Sequence, residues 1–198
     1  SKNQIVALNT LEEAKKMARS LDDINQERQE VQKWTLEEAE YLLGREVDLE
    51  RDRVIVLASE NFHMGVIGIV ASRFAQIYFR PTVLIAMKDK KGKGSARSIP
   101  SFNLFKAFSE CSNHLIQYGG HAYAAGLNIE AEQVEPFRKA MNAIGHRILT
   151  EEDLIPEIAI DGTLPLESIS LDTLKDIRSL EPFGQENPAP LFACHGMP

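Results

Sequence analysis

Apolar positions are sparse over the first fifty residues and recur with a helical period. Leu11, Ala14, Ala18, Leu21 and Ile24 lie three to four or so apart, and a very polar run continues to Trp34. The spacing predicts a long, partly exposed helix, and the scarcity of apolar residues suits a connector between two bodies better than a core helix. T-L-E-E at Thr10–Glu13 has the form of a capping box. Thr35–Glu38 repeats it ahead of Ala39, Leu42 and Leu43, so the helix either restarts there or runs on.

From Arg53 the texture changes. VIVLA at Val54–Ala58 is a short β-branched run, ENFHMG a polar turn, Val66–Tyr78 has helical spacing, and Pro81 opens a second buried strand at Thr82–Met87. Strand, helix and strand with short connections make a crossover unit, so part of the sheet is expected to be parallel and covered. A third strand is expected at Gly94–Ile99 and a helix through Leu104, Phe105, Phe108 and Leu115. A strand in AGLNIE and a helix over Val134–Leu149 follow. The fold class is α/β, a mixed sheet with covering helices. Beyond Thr150, IPEIAIDGTLPL reads as a strand, Leu171–Ile177 as a short helix, and LEPFGQENPAPLFACHG as a turn-rich piece ending in a strand. The expected organisation is a connecting helix over 1–50, an α/β domain over 51–149 and a smaller segment over 150–198.

The chain has 198 residues, enough for one substantial core or one core plus an annex. No stretch approaches the roughly 18 consecutive apolar residues of a membrane span, and the amino end lacks the order of a signal peptide. A cytoplasmic location with no membrane partner is expected. Cys111 and Cys194 lie far apart with no C-x-x-C, which suggests neither a disulfide framework nor a thiolate zinc site. The chain starts at Ser1 and stops at Pro198 just after the apolar stretch Leu191–Cys194, as a piece of a longer protein would.

A net charge of −7 argues against a general polyanion binder. The segment KDKKGKGSAR nevertheless sets Lys88, Lys90, Lys91, Lys93 and Arg97 against Asp89 alone. It is either a solvated hairpin tip or a phosphate-facing surface.

The candidate chemistry is narrow. None of the five histidines has an H-x-H or H-x-x-x-H partner, and no set of convergent carboxylates emerges that could hold two metal ions about 4 Å apart. No catalytic residue and no metal ligand is therefore assigned. The stretch YGGHAYAAG, Tyr118–Gly126, offers an anion receptor instead. Gly119 and Gly120 uncover backbone N–H groups, His121 can donate a hydrogen bond, Ala124, Ala125 and Gly126 keep the wall close, and Ser95, Arg97 and Ser98 add hydroxyls and a phosphate-matching fork. The same residues would also suit a tight turn packed beneath a helix.

GGHAYAAG resembles the GGH-x-x-AAG motif of the DHH-associated domain of the DHH phosphoesterase superfamily, and GSARSIP resembles the strand that accompanies it. NFHMGVIGIVASRFAQIYFRPTVLIA is similar to a strand-helix-strand of RecJ-type single-stranded-DNA-specific exonucleases. LEPFGQENPAPLF resembles the entry to their oligonucleotide-binding (OB) β-barrel, here incomplete. The resemblance implies the substrate-gripping part of a 5′→3′ exonuclease of DNA repair and recombination. Mn²⁺ or Mg²⁺ would be held by a DHH domain absent from this chain, which alone would be inactive. It implies single-stranded DNA as the ligand and single-strand-binding protein as a possible partner. It gives the GGH loop, Ser95 and Arg97 the task of holding DNA phosphate. His121 would be a donor to substrate, and Gly120→Val should abolish binding while sparing the fold. His63 and Arg73 are left open between cleft lining and fold support, and Phe183, Gly184 and Asn187 are read as scaffolding. The alternatives are a DHH-type phosphodiesterase acting on short oligonucleotides or cyclic dinucleotides, and a non-catalytic binding module. The carboxy-terminal domain of alanyl-tRNA synthetases shares the resemblance without the flanking motifs.

Overall fold

In the computed structural model, which describes residues 11–195, the first element is a single helix, α1 (Leu11–Glu46), unbroken at Thr35. The expected cap residue Thr10 lies outside the described residues. Four residues of α1 are buried: Thr35, Ala39, Leu42 and Leu43. They share one face of its last three turns, where Ala39, Leu42 and Leu43 join the core, whereas Leu11, Leu21 and Ile24 at similar spacing stay exposed.

Five strands form the main sheet: β1 (Ile55–Ser59), β2 (Thr82–Lys88), β3 (Lys91–Arg97), β4 (Gln117–Gly120) and β5 (Ala124–Glu130), in the order β1-β2-β3-β5-β4. β1 and β2 are parallel across the helix α2 (Ile67–Tyr78), as the crossover pattern predicts; the remaining pairs are antiparallel. Asp89 and Lys90 turn β2 into β3 with φ of 49° and 65°. Two successive positive φ values match the twist of a two-residue hairpin. β3 therefore starts three residues earlier than expected, and the glycine stretch read as a loop supplies the edge strand β4. The helix predicted through Leu115 is shorter, α3 (Leu104–Glu110), capped by Asn103, whose side chain accepts from the Lys106 N–H at 3.0 Å.

Strand alternation divides the core in two. Val54, Val56, Val83, Ile85, Ala96, Leu127 and Ile129 pack against Phe108 of α3 and against Phe137 and Met141 of α4 (Val134–Ile148). Ile55, Leu57, Leu84 and Ala86 face the other way, against Val70, Ala71 and Phe74 of α2 and Leu42 and Leu43 of α1. A fully buried side chain such as Phe74 or Phe137 contributes about 1.5–3 kcal/mol.

The outer edge of β1 is covered by α4. Asn142 Oδ1 accepts from the N–H groups of Arg53 and Val54 at 2.8 and 3.0 Å, and its Nδ2 donates to the Val54 carbonyl at 3.0 Å. Arg138 Nε donates to the Val56 carbonyl at 3.0 Å while its guanidinium pairs with Glu46 of α1 and Glu135. Two side chains thus occupy the bonding groups that a further strand would otherwise take.

The chain divides into compact units after Ile155, and Leu149 and Leu154 are still buried in the first. The second unit holds α5 (Leu171–Arg178), with the Ser170 hydroxyl accepting from the Thr173 N–H at 3.1 Å. It also holds a short parallel pair, β6 (Gly162–Thr163) with β7 (Phe192–Ala193). The long strand expected in IPEIAIDGTLPL shrinks to two residues. Pro156 and Pro165 bracket it, and only β7 offers it a ladder. Asn187 donates to the carbonyls of Leu180 and Pro182 at 2.9 and 3.1 Å and so ties the turn containing Gly184. Among the described residues there is no closed barrel, and no helix is long and apolar enough to cross a membrane.

Candidate anion-binding cleft

On the face covered by α1 and α2, helical cover ends at β3. Beyond it β3, β5 and β4 present a bare surface whose composition follows from register and alternation. Arg97 stands opposite Ala124; Ser95 opposite Gly126, which stands opposite Gly119; Lys93 opposite Asn128, which stands opposite Gln117. Gly92, Gly94 and Ala96 point into the core on the other side. Alternation in K-G-K-G-S-A-R thus places four polar side chains on one face and three small residues on the other.

The glycines fall into two classes. A Cβ on Gly120, whose φ is +140°, would lie 2.5 Å from the Ala124 carbonyl oxygen and 2.5 Å from the Ala125 Cα, so the fold itself demands this glycine. A Cβ on Gly119 would meet nothing within 4 Å, and one on Gly126 would meet only the Gly94 carbonyl, at 3.5 Å. Neither has an unusual φ. The protein's own packing gives no reason for glycine at these two adjoining positions, which together leave a flat floor. Gly120→Val, expected to spare the fold, would instead drive a side chain into backbone.

The floor belongs to a cleft of about 420 Å³, walled by Ser95, Arg97 and Lys93 on one side and closed by Met64 and Ile67 at the start of α2. No carboxylate lines it. Arg97 Nη1 donates to Ser95 Oγ at 3.2 Å and to the Ala96 carbonyl at 2.8 Å, which fixes the guanidinium. Its Nε and Nη2 make no hydrogen bond among the described residues and remain available for an anion. Helix α2 comes so close that a Cβ on Gly68 would lie 3.0 Å from Ser95 Oγ and 3.2 Å from Arg97 Nη2. That approach sets the positive end of the helix beside the fork.

Of the residues assigned from sequence, Ser95, Arg97, Gly119, Gly120, Ala124, Ala125 and Gly126 come together in this cleft. Ala125 contributes backbone only, its methyl being buried in the core. Ser98 does not join them: its parity turns it away, and its hydroxyl donates to the Phe102 carbonyl at 2.6 Å. His121 is exposed in the β4–β5 turn and outside the lining, its N–H donating to the Ala124 carbonyl at 2.8 Å. His63 supports the turn before α2, its Nδ1 accepting from the Gly65 N–H at 3.1 Å and its carbonyl accepting from Val66 and Ile67. Arg73 is exposed on α2, away from the cleft. Lys93, Gly68, Met64 and Ile67 were not assigned. Lys93 was legible, since it precedes Ser95 by one strand period.

Among the described residues no three His, Cys, Asp or Glu side chains converge to hold a metal ion. The Cys111 thiol is buried, and desolvation, helped by Glu110, pushes it up to about 11, so it is no nucleophile at neutral pH.

The mixed five-stranded sheet and its glycine-floored cleft belong to a DHHA1 domain, whose sequence profile matches residues 51–146, followed by a match to the RecJ OB domain over residues 160–198. The chain belongs to the RecJ-type family of the DHH superfamily. The single-stranded-DNA-specific exonuclease RecJ of Bacillus subtilis is 40% identical over 181 residues, 90% of this chain and 23% of that protein. RecJ of Haemophilus influenzae is 34% identical over 197 residues, 96% of this chain and 34% of that protein. The crystal structure of Thermus thermophilus RecJ in complex with Mg²⁺ matches at 31% identity with a TM-score of 0.81, covering 93% of this chain and 28% of that one. The chain spans about a quarter to a third of the length of these relatives.

Proposed function

We propose that this chain is the substrate-gripping part of a single-stranded-DNA-specific 5′→3′ exonuclease acting in DNA repair and recombination in the cytoplasm. One observation carries the reading. Gly119 and Gly126 form a floor that the fold does not require, directly beside an Arg97 fork held in place by Ser95 and with donors to spare. A phosphate resting on that floor would take charge-assisted bonds from Arg97 and a hydroxyl bond from Ser95, with Lys93 adding charge.

The division of labour follows from the donor sets. The described residues do not fit a divalent ion, and in this reading the Mg²⁺ or Mn²⁺ that activates water and neutralises phosphoryl charge is held by a DHH domain outside them. This chain binds the DNA end, orients it through a rigid fork, and keeps carboxylates away from it. Single-strand-binding protein would be a partner of the whole enzyme.

The test is fluorescence anisotropy of the chain at low salt with a labelled single-stranded oligonucleotide carrying a 5′ phosphate or a 5′ hydroxyl. Preference for the phosphorylated end, lost in Arg97→Ala, supports the reading. Equal affinity for both ends that is indifferent to Arg97 removes it.

A further inference from the structure

The bare face extends past the phosphate slot. One strand period below Ser95, Gly126 and Gly119 lies a second row, Lys93, Asn128 and Gln117, in register across β3, β5 and β4. Asn128 Nδ2 donates to Gln117 Oε1 at 3.3 Å. The Asn128 Oδ1 and Gln117 Nε2 atoms make no hydrogen bond among the described residues, so the pair offers one acceptor and one donor. Lys93 has no ion-pair partner among the described residues, whereas Lys91, one period further on, is held by Glu130 at 3.8 Å.

Three adjoining hollows meet at Lys93. One is the slot itself; one runs toward Lys88, Asp89 and Ile116; the third lies over Gln117, Gly119, Gly126 and Asn128. A period of two residues along a strand is about 6.6–6.8 Å, comparable to the stride of one nucleotide in an extended single strand. From these facts we infer a second subsite, in which Lys93 takes the next phosphate and the Asn128–Gln117 amide pair hydrogen-bonds the nucleotide that follows the gripped one. The inference rests on the proposed function, which supplies the phosphate in the slot. It adds a footprint: two nucleotides on this domain. The carboxylates facing this row are Asp89 and Glu130, of which Glu130 is paired with Lys91; Lys88 and Lys93 have no ion-pair partner among the described residues, and of these two Lys93 is the one in register with the amide pair.

The experiment compares 5′-phosphorylated thymidine mononucleotide with the 5′-phosphorylated dinucleotide, titrated into the chain and into single variants. The dinucleotide is expected to bind about tenfold tighter, as one further charge-assisted contact implies. Lys93→Gln and Asn128→Ala, both substitutions of side chains outside the core, should bring that ratio toward one. With a longer oligonucleotide, Lys93→Gln should reduce the slope of log K against log salt by about 0.7. A ratio unchanged in both variants, with binding still dependent on Arg97, overturns the second subsite and leaves the phosphate grip standing. Binding that ignores Arg97 overturns the grip, and the subsite with it.

Discussion

Gly119 of β4 and Gly126 of β5 stand opposite each other in register, and a side chain on either would meet almost nothing of the protein. The packing of the fold therefore tolerates a larger residue at either position, unlike at Gly120.

Gly119 and Gly120 should therefore separate function from folding. Gly119→Val should leave the melting temperature nearly unchanged and block the phosphorylated end. Gly120→Val should lower stability by about 1–3 kcal/mol from backbone conformation alone, with backbone overlap added. Paired thermal melts and anisotropy check this. Equal melting temperatures in the two variants would refute the distinction.

Arg97→Ala should cost about 1.5–3 kcal/mol of binding to a 5′-phosphorylated strand. Arg97→Lys keeps the charge without the fork and should recover only part of it. Full recovery by lysine would show that point charge alone suffices.

Asn142→Ala should destabilise the first unit by about 1–3 kcal/mol, because it strips partners from two backbone N–H groups at once. Urea denaturation measures it. A change below a few tenths of a kcal/mol would mean that water replaces the amide.

The Glu151 carboxyl is held below its ordinary value by hydrogen bonds from the Arg53 guanidinium, with further support from the charges of Arg80 and His146. The folded chain releases this proton more readily than the unfolded one. The stabilisation is thus fully present above the ordinary carboxylate pKa and is lost as pH falls through the depressed value. The difference in urea midpoint between wild type and Glu151→Gln should narrow below about pH 4. A difference that stays constant into stronger acid contradicts the assignment.

The Cys111 thiol should resist thiol reagents in the native state at pH 8, being buried and pushed up to about 11. Rapid labelling without unfolding would show an opening that the packing does not provide.

The sequence made the strand-helix-strand from β1 to β2 legible because its apolar residues switch cleanly between periods. The edge strand β4 was hidden, since Gln117, Tyr118 and two glycines carry little β-branched signal and pair only because β5 lies beside them. Motif proximity drew Ser98 and His121 into the site. One residue of strand parity turns the first away, and the turn carries the second outside the lining. Gly68 could not be suspected without knowing that α2 crosses Ser95 and Arg97.

The first buried residue of α1 is Thr35, and Leu11, Leu21 and Ile24 are exposed. At 1.5 Å per residue, the helix from Thr35 back to Leu11 is about 36 Å long, so a tilt of about six degrees at its base would swing the far end by about 4 Å. A rod of this length amplifies small changes at its base: a shift of less than about an ångström among Ala39, Leu42 and Leu43 would move the Leu11 end through a distance larger than a hydrogen bond.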